Sequence, residues 1–189
     1  MGRDELSEQG LFQASRLKRV SIRRPSNADA ALFLAAARRS SRLHRPWVTC
    51  PRTTTAVRKF LNRSPDNRRT FLVWYGATDL VGVINVSEIV RGPFQSAYLG
   101  YYAFEPLAGQ GLMREGLRQV IDRAFTSLKL HRLEANIQPQ NVRSKRLVQS
   151  LGFKLEGYSP RYLKVAGRWR DHERWTVLSE EWRKRRSRH

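Results

Sequence analysis

The first half of the chain alternates apolar and polar positions in short runs. "RLKRVSIRR" (16–24) alternates as a strand does, and "PSNADAALFLAAARR" (25–39) follows with a Ser/Asn cap and an alanine- and leucine-rich body, which predicts a helix. A second short helix is predicted over "TTTAVRKFLNR" (53–63). Three β-rich runs come next, "TFLVWY" (70–75), "LVGVINVSEIV" (80–90) and "SAYLGYYAF" (96–104). The turn signals "GATD" and "RGPFQ" separate them, so an antiparallel meander is expected.

The period changes after Gly111. Met113, Leu117, Val120, Ile121, Ala124 and Leu128 recur at three- and four-residue steps, the spacing of an amphipathic helix. "HRLEANIQP" (131–139) then reads as a strand. "NVRSKRLVQSLGF" (141–153) reads as a helix capped by Asn141, with Leu147, Val148 and Leu151 inward and Gly152 as its stop. "LEGYSPRYLKV" and "WRDHERWTVL" close the chain as two more strands.

The stretch "PLAGQGLMREGL" (106–117) poses a chemical question. A strand ending at Phe104, a loop holding Gly109 and Gly111, and a helix starting at once would aim free backbone amides at one point. Such amides, aligned with the helix dipole, suit a pyrophosphate. The same residues also make an ordinary turn, and they match neither GxxxxGK[ST] nor GxGxxG. Spacing alone leaves both readings open.

Composition narrows the classes. At 189 residues, 40% of them hydrophobic, one domain with a real core is expected. No apolar run approaches the roughly 18 residues of a membrane span, and "MGRDELSEQG" is acidic and polar rather than a charged-then-apolar export signal, so a cytoplasmic protein is expected. A single cysteine, Cys50 before Pro51, excludes an internal disulfide and reads as an inert thiol; no metal is expected. Lys plus Arg is 36 against 16 for Asp plus Glu, a net +20, which attracts polyanions. Those charges are spread through "RLKRVSIRR", "RRSSRLHR", "RSPDNRR" and "WRKRRSRH", which fits a basic surface visiting an RNA-rich partner better than a sequence-specific reader.

"GQGLM", "LHRLEANIQPQN", "LGFKLEGY" and "WRDH", with Asn141 followed at a fixed distance by Gly152 and Phe153, resemble the acetyl-CoA core of the GNAT N-acetyltransferases. They are similar in particular to the RimJ/RimL branch, which acetylates the α-amine of ribosomal proteins. The resemblance covers roughly residues 17 to 178. It implies a mixed, mostly antiparallel central sheet flanked by helices, an α/β fold of α+β type, as an acetyltransferase domain over 16–180 between a polar leader (1–15) and a basic tail (181–189). It implies acetyl-CoA as co-substrate, held by the loop Ala108, Gly109, Gln110, Gly111, Leu112 and Met113. It further implies that the strand splays at Tyr101, Tyr102 and Ala103 to pair with pantetheine and offer an oxyanion donor, and that Asn141 bonds the same arm. Two departures stand out. The family loop commonly starts with Arg or Gln and ends with Gly or Ala, where this chain has Ala108 and Met113, so Arg114 or Arg143 is left to meet phosphate. The tyrosine many relatives carry seven residues after the capping Asn is here Val148. In the RimL-like branch a serine three residues after that Asn is the proton donor, and Ser144 occupies the place.

Amide formation from a thioester needs a neutral amine, an oxyanion donor and a proton for the departing thiolate. Neutralising an α-amine at pH 7 costs about 1 kcal/mol, against about 4.6 for a lysine. A modest base therefore serves an α-amine. Glu134, Glu88 and Glu105 are the carboxylate candidates, and the resemblance ranks Glu134 first, because the family often has a glutamate on the strand leading to Asn141; an ion pair with one of the many arginines is the competing reading of Glu134. His172, beside Asp171, is expected to be structural. Tyr158, Arg161, Tyr162 and Trp169 are expected either to line the acceptor side or to pack on the sheet, and the resemblance places His44, Arg45 and Trp47 in a mobile loop over that side. Three functions remain open: a protein N-terminal acetyltransferase of the ribosomal-protein-alanine type, a small-molecule amine acetyltransferase for a polyamine or aminoglycoside, and a ribosome- or RNA-binding assembly factor. The +20 charge disfavours polycationic acceptors.

Overall fold

A computed structural model describes residues 19–45, 47–63 and 65–187. A seven-stranded sheet runs through it in the order β1 (Val20–Arg23), β2 (Arg69–Tyr75), β3 (Asp79–Val90), β4 (Ser96–Ala103), β5 (Arg132–Ile137), β7 (Arg168–Leu178), β6 (Lys154–Val165). Every neighbouring pair is antiparallel except β4 and β5, which run parallel. Helices α1 (Ala30–Arg39), α2 (Ser41–His44) and α3 (Thr54–Asn62) lie between β1 and β2. α4 (Leu112–Thr126) joins β4 to β5, α5 (Val142–Ser150) precedes β6, and α6 (Ser179–Arg186) ends the described chain. The expected meander and helices are all present; α2, a single turn, and α6 are additions. The polar leader falls outside the described residues. Most of the basic tail forms α6, whose Trp182 is buried in the core.

Local chemistry explains the entry to α1. Asp29 is 5% exposed and carries a capping box with Ser26: its carboxylate accepts from Ser26 N at 2.7 Å and from Arg23 at 2.5 and 2.9 Å. α4 buries the stripe its spacing announced, with Leu117, Val120, Ile121 and Ala124 inaccessible to solvent. Each large side chain of that stripe contributes about 1.5–3 kcal/mol by burial. They meet Val73, Ile84 and Leu99 from β2–β4, Leu133 from β5 and Trp175 from β7 on one face of the sheet. On the other face, Phe33, Ala36 and Ala37 of α1 and Val57 and Leu61 of α3 cover Leu72, Val83 and Phe104.

One break in the sheet positions everything that follows. β4 and β5 pair only through Ser96↔Arg132, Ala97↔Leu133 and Tyr98↔Glu134. Beyond them both strands continue, β4 to Ala103 and β5 to Ile137, with no pairing between them.

Candidate active site

The divergence leaves a wedge edged by free backbone. Phe104 N donates to Val81 O at 2.7 Å, so alternate β4 residues, Tyr102 and Gly100 among them, direct their backbone groups at β3. Tyr101 and Ala103 therefore face the wedge. On the opposite side, Ser179 N bonds His131 O, which puts Leu133, Ala135 and Ile137 in the ladder to β7 and turns the backbone of Asn136 to the wedge. Of the three strand residues expected at a cofactor, Tyr101 and Ala103 line the opening, whereas Tyr102 packs against Phe104 and the α1/α3 layer.

β4 leads directly into the glycine loop. Gly109 and Gly111 hold φ of +86° and +78°, left-handed values that L side chains rarely adopt, and a Cβ at either would meet nothing within 4 Å. Gly111 is the N-cap of α4 and, lacking a side chain, leaves the first amides of the helix uncapped. The loop is thus an open cradle of N–H donors at the positive end of a 15-residue helix. Gln110 folds back onto Pro106 O (3.2 Å), Ala108 is half-buried, and Met113 turns into the core against Gly82, where the sulfur lies 2.6 Å from a Cβ placed on that glycine. Arg114 bonds Ser150 Oγ at 3.2 Å, and Arg143 is exposed in the first turn of α5.

α5 borders the wedge from the α4 side. Asn141 caps it, its Oδ1 accepting from Ser144 N at 3.2 Å. Ser144 Oγ lies 2.6 Å from the Tyr101 hydroxyl, a contact between residues 43 apart in sequence. Burial drives the Tyr101 phenol well above its ordinary range despite the bond to Ser144, so it stays protonated. Val148, where relatives carry tyrosine, is fully buried core. Sequence reasoning found Ser144 and the Tyr101 backbone but missed the Tyr101 side chain, which no spacing rule connects to α5.

The other face of the wedge carries the carboxylates. Glu134, 14% exposed, sits on β5 at the last paired position, 3.4 Å from Arg132, which is held more tightly by Glu156 at 2.5 Å. Glu88 shares with Glu134 a cleft of about 210 Å³ lined also by Phe94, Tyr98 and Arg132, and bonds Asn67 at 3.2 Å. Glu105 lies elsewhere, its backbone tied to Arg39 and Ser40. Tyr162 reaches Tyr98 across this face (3.4 Å), and that hydrogen bond, with burial, pushes its phenol up to about 12. Behind it His172 is buried, Nδ1 2.9 Å from Arg170 O, its pKa lowered by burial. Tyr158, Arg161 and Trp169 are exposed on the β6–β7 hairpin, with Tyr158 and Arg161 N both bonded to Asp171.

His44 departs from the expectation of a mobile loop. It ends α2, is 4% exposed, and contacts the Tyr102 and Phe104 rings. Its Nε2 donates to Ala103 O at 2.6 Å, and burial lowers its pKa, keeping the ring neutral at pH 7. Three residues on, Trp47 O accepts from Gln138 Nε2 at 3.3 Å. His44 and Trp47 thereby reach the end of β4 and the residue beyond β5, one on each side of the wedge mouth. Arg45 between them is exposed.

The family model for the acetyltransferase (GNAT) domain matches residues 19–154, most of the chain. The chain belongs to the GNAT acetyltransferases. Within this family it is 40% identical over 104 residues to the [ribosomal protein uS5]-alanine N-acetyltransferase of Escherichia coli, an alignment covering 55% of this chain and 54% of the relative. The chain spans about half the length of the curated relatives it matches. The Mycobacterium smegmatis RimJ structure in complex with CoA-disulfide superposes with a TM-score of 0.79 at 26% identity, covering 86% of this chain and 83% of that one. The spermidine N-acetyltransferase of Vibrio cholerae, solved with CoA and spermine, shares the fold at 19% identity and a TM-score of 0.74, over 86% of this chain and 97% of its own. Among the described residues no group of three or more His, Cys, Asp or Glu is arranged to hold a metal, and no helix is long and apolar enough to cross a membrane.

Proposed function

We propose that this chain acetylates the α-amine of a protein N-terminus, with acetyl-CoA as donor and a ribosomal protein as acceptor, in the cytoplasm. The observation that carries the reading is the wedge itself, with a hydroxyl pair at its α5 side and a carboxylate on its opposite face. The residues fit acetyl-CoA: an open amide cradle for its pyrophosphate, and a β4 edge that β5 leaves unpaired at Tyr101 and Ala103, the Ala103 carbonyl accepting from His44, for an extended, amide-bearing arm, with Asn141 beside it. When bound, it supplies the thioester acyl group.

The remaining chemistry belongs to the chain. Glu134 takes a proton from the acceptor ammonium, directly or through water, a task an α-amine makes modest at about 1 kcal/mol. A wedge-facing N–H of β4 meets the charge that develops on the acyl oxygen. The Ser144 hydroxyl, held by the Tyr101 phenol, gives a proton to the leaving sulfur. The basic surface draws the enzyme to an RNA-rich partner where such acceptors reside. The test is thiol release from acetyl-CoA with short peptides beginning Ala, Ser or Met, an α-blocked lysine peptide, and spermidine. Turnover confined to free α-amines supports the reading; turnover of spermidine alone overturns it.

A further inference from the structure

Asn136 is a half-buried polar residue that the reaction as described does not use. It sits on β5 two residues beyond Glu134, and both point away from Leu133, Ala135 and Ile137, which face α4. Its Oδ1 is inaccessible to solvent and, among the described residues, has no hydrogen-bond partner. Leaving a buried carbonyl oxygen unpaired costs about 1–3 kcal/mol. Most buried polar groups do have a partner, so an orphan beside a cleft calls for a donor from outside the chain.

The surroundings say what that donor is. Extending the β4–β5 register past Tyr98↔Glu134 sets Gly100 opposite Asn136, and a Cβ at Gly100 would meet nothing within 4 Å. Open space therefore lies where a side chain would otherwise close the wedge. Residues two apart on a strand are separated by about 7 Å, which one nitrogen can bridge with hydrogen bonds of about 2.9 Å to each side chain. Glu134 and Asn136, on the same face of β5, both carry acceptor oxygens beside that space. Arg174, paired with Asn136 across the ladder, and Arg132 flank the same face. Their charge favours a neutral amine over an ammonium, and a neutral amine still donates an N–H.

We propose that Asn136 is an acceptor-binding residue, its Oδ1 taking one N–H of the substrate amine while Glu134 faces another, so that the nitrogen lone pair is directed across the wedge. This rests on the acetyltransferase reading above. The chemistry required is an N–H donor, which the amide arm of the cofactor also possesses. The face decides between them: Asn136 lies on the side of Glu134, while Asn141 and Ser144 border the wedge from the side of α4.

The experiment compares wild type, Asn136→Leu and Asn136→Asp. Affinity for an Ala-initiated peptide is measured by calorimetry in the presence of CoA, alongside steady-state kinetics, acetyl-CoA affinity and Tm. Asn136→Leu is expected to weaken peptide binding and raise peptide KM about tenfold, the loss of one hydrogen bond, with acetyl-CoA affinity unchanged. Asn136→Asp, which keeps an acceptor oxygen, is expected to restore most of that affinity. Weakened acetyl-CoA binding with unchanged peptide affinity would assign the N–H to the cofactor and overturn the proposal. So would a fall in Tm with both affinities intact. A wild type that neither binds nor acetylates α-amine peptides overturns the α-amine reading instead, and the same comparison with spermidine then tests Asn136 alone.

Discussion

The 2.6 Å contact between Tyr101 and Ser144 joins the free edge of β4 to the first turn of α5, and it sets the orientation of the hydroxyl expected to protonate the thiolate. Ser144→Ala should lower kcat about 100-fold while acetyl-CoA affinity holds, because general acid catalysis contributes at least that much and the helix cap at Asn141 uses only the Ser144 backbone. Tyr101→Phe keeps the ring and removes the bond; a smaller fall in kcat, with peptide KM unchanged, is expected in the same steady-state assay. Glu134 and Ser144 were legible because one lies in a recognisable strand and the other at a fixed step from Asn141. The Tyr101 phenol, Asn136 and His44 were not. Each owes its place to a neighbour far along the chain: Ser144 for Tyr101, the divergence from Gly100 for Asn136, and the Ala103 carbonyl for His44.

At the scale of elements, α4 was readable because a four-turn helix repeats its stripe often enough to be seen: five of the six apolar positions lie in it, and Leu128 falls just beyond its end. α2, with four residues, has no period to read. The β6–β7 pair was legible as two strands, but which of them joins β5 was not. Burial decides it: Trp175 and Val177 of β7 lie in the core under the helices and Thr176 between them is buried, whereas β6 is exposed along most of its length and takes the edge. The seating of α4 depends on Gly82 of β3. A Cβ there would approach Tyr102 O to 2.5 Å and Met113 Sδ to 2.6 Å, and the carbonyl cannot yield. Gly82→Ala should cost about 1–3 kcal/mol in denaturant unfolding and, by displacing the start of α4, weaken acetyl-CoA binding.

For the molecule as a whole, acid stability should fall in two steps. Burial lowers the pKa of His44 and His172 from 6.5, so the unfolded chain binds more protons than the folded one, and stability declines as pH drops below about 6.5. Burial raises the carboxyl of Asp29, but its bonds to Arg23 and Ser26 outweigh that and hold the pKa below 3.8; this second contribution is present above that pH and is lost beneath it. Thermal melts across pH should show both steps, with His44→Gln flattening the first and Asp29→Asn the second. The net +20 predicts that any association with RNA weakens steeply as salt rises, while turnover of a neutral peptide responds far less; anisotropy and thiol release measure the two. The three-pair seam between β4 and β5 has a mechanical meaning too. It divides the molecule into a four-stranded plate and a three-stranded one, stitched at one end and joined by α4. A molecule lying along the open end would act as a missing strand, so loading should be felt as stiffness: slower amide exchange at Tyr101, Ala103 and Asn136, spreading across both plates.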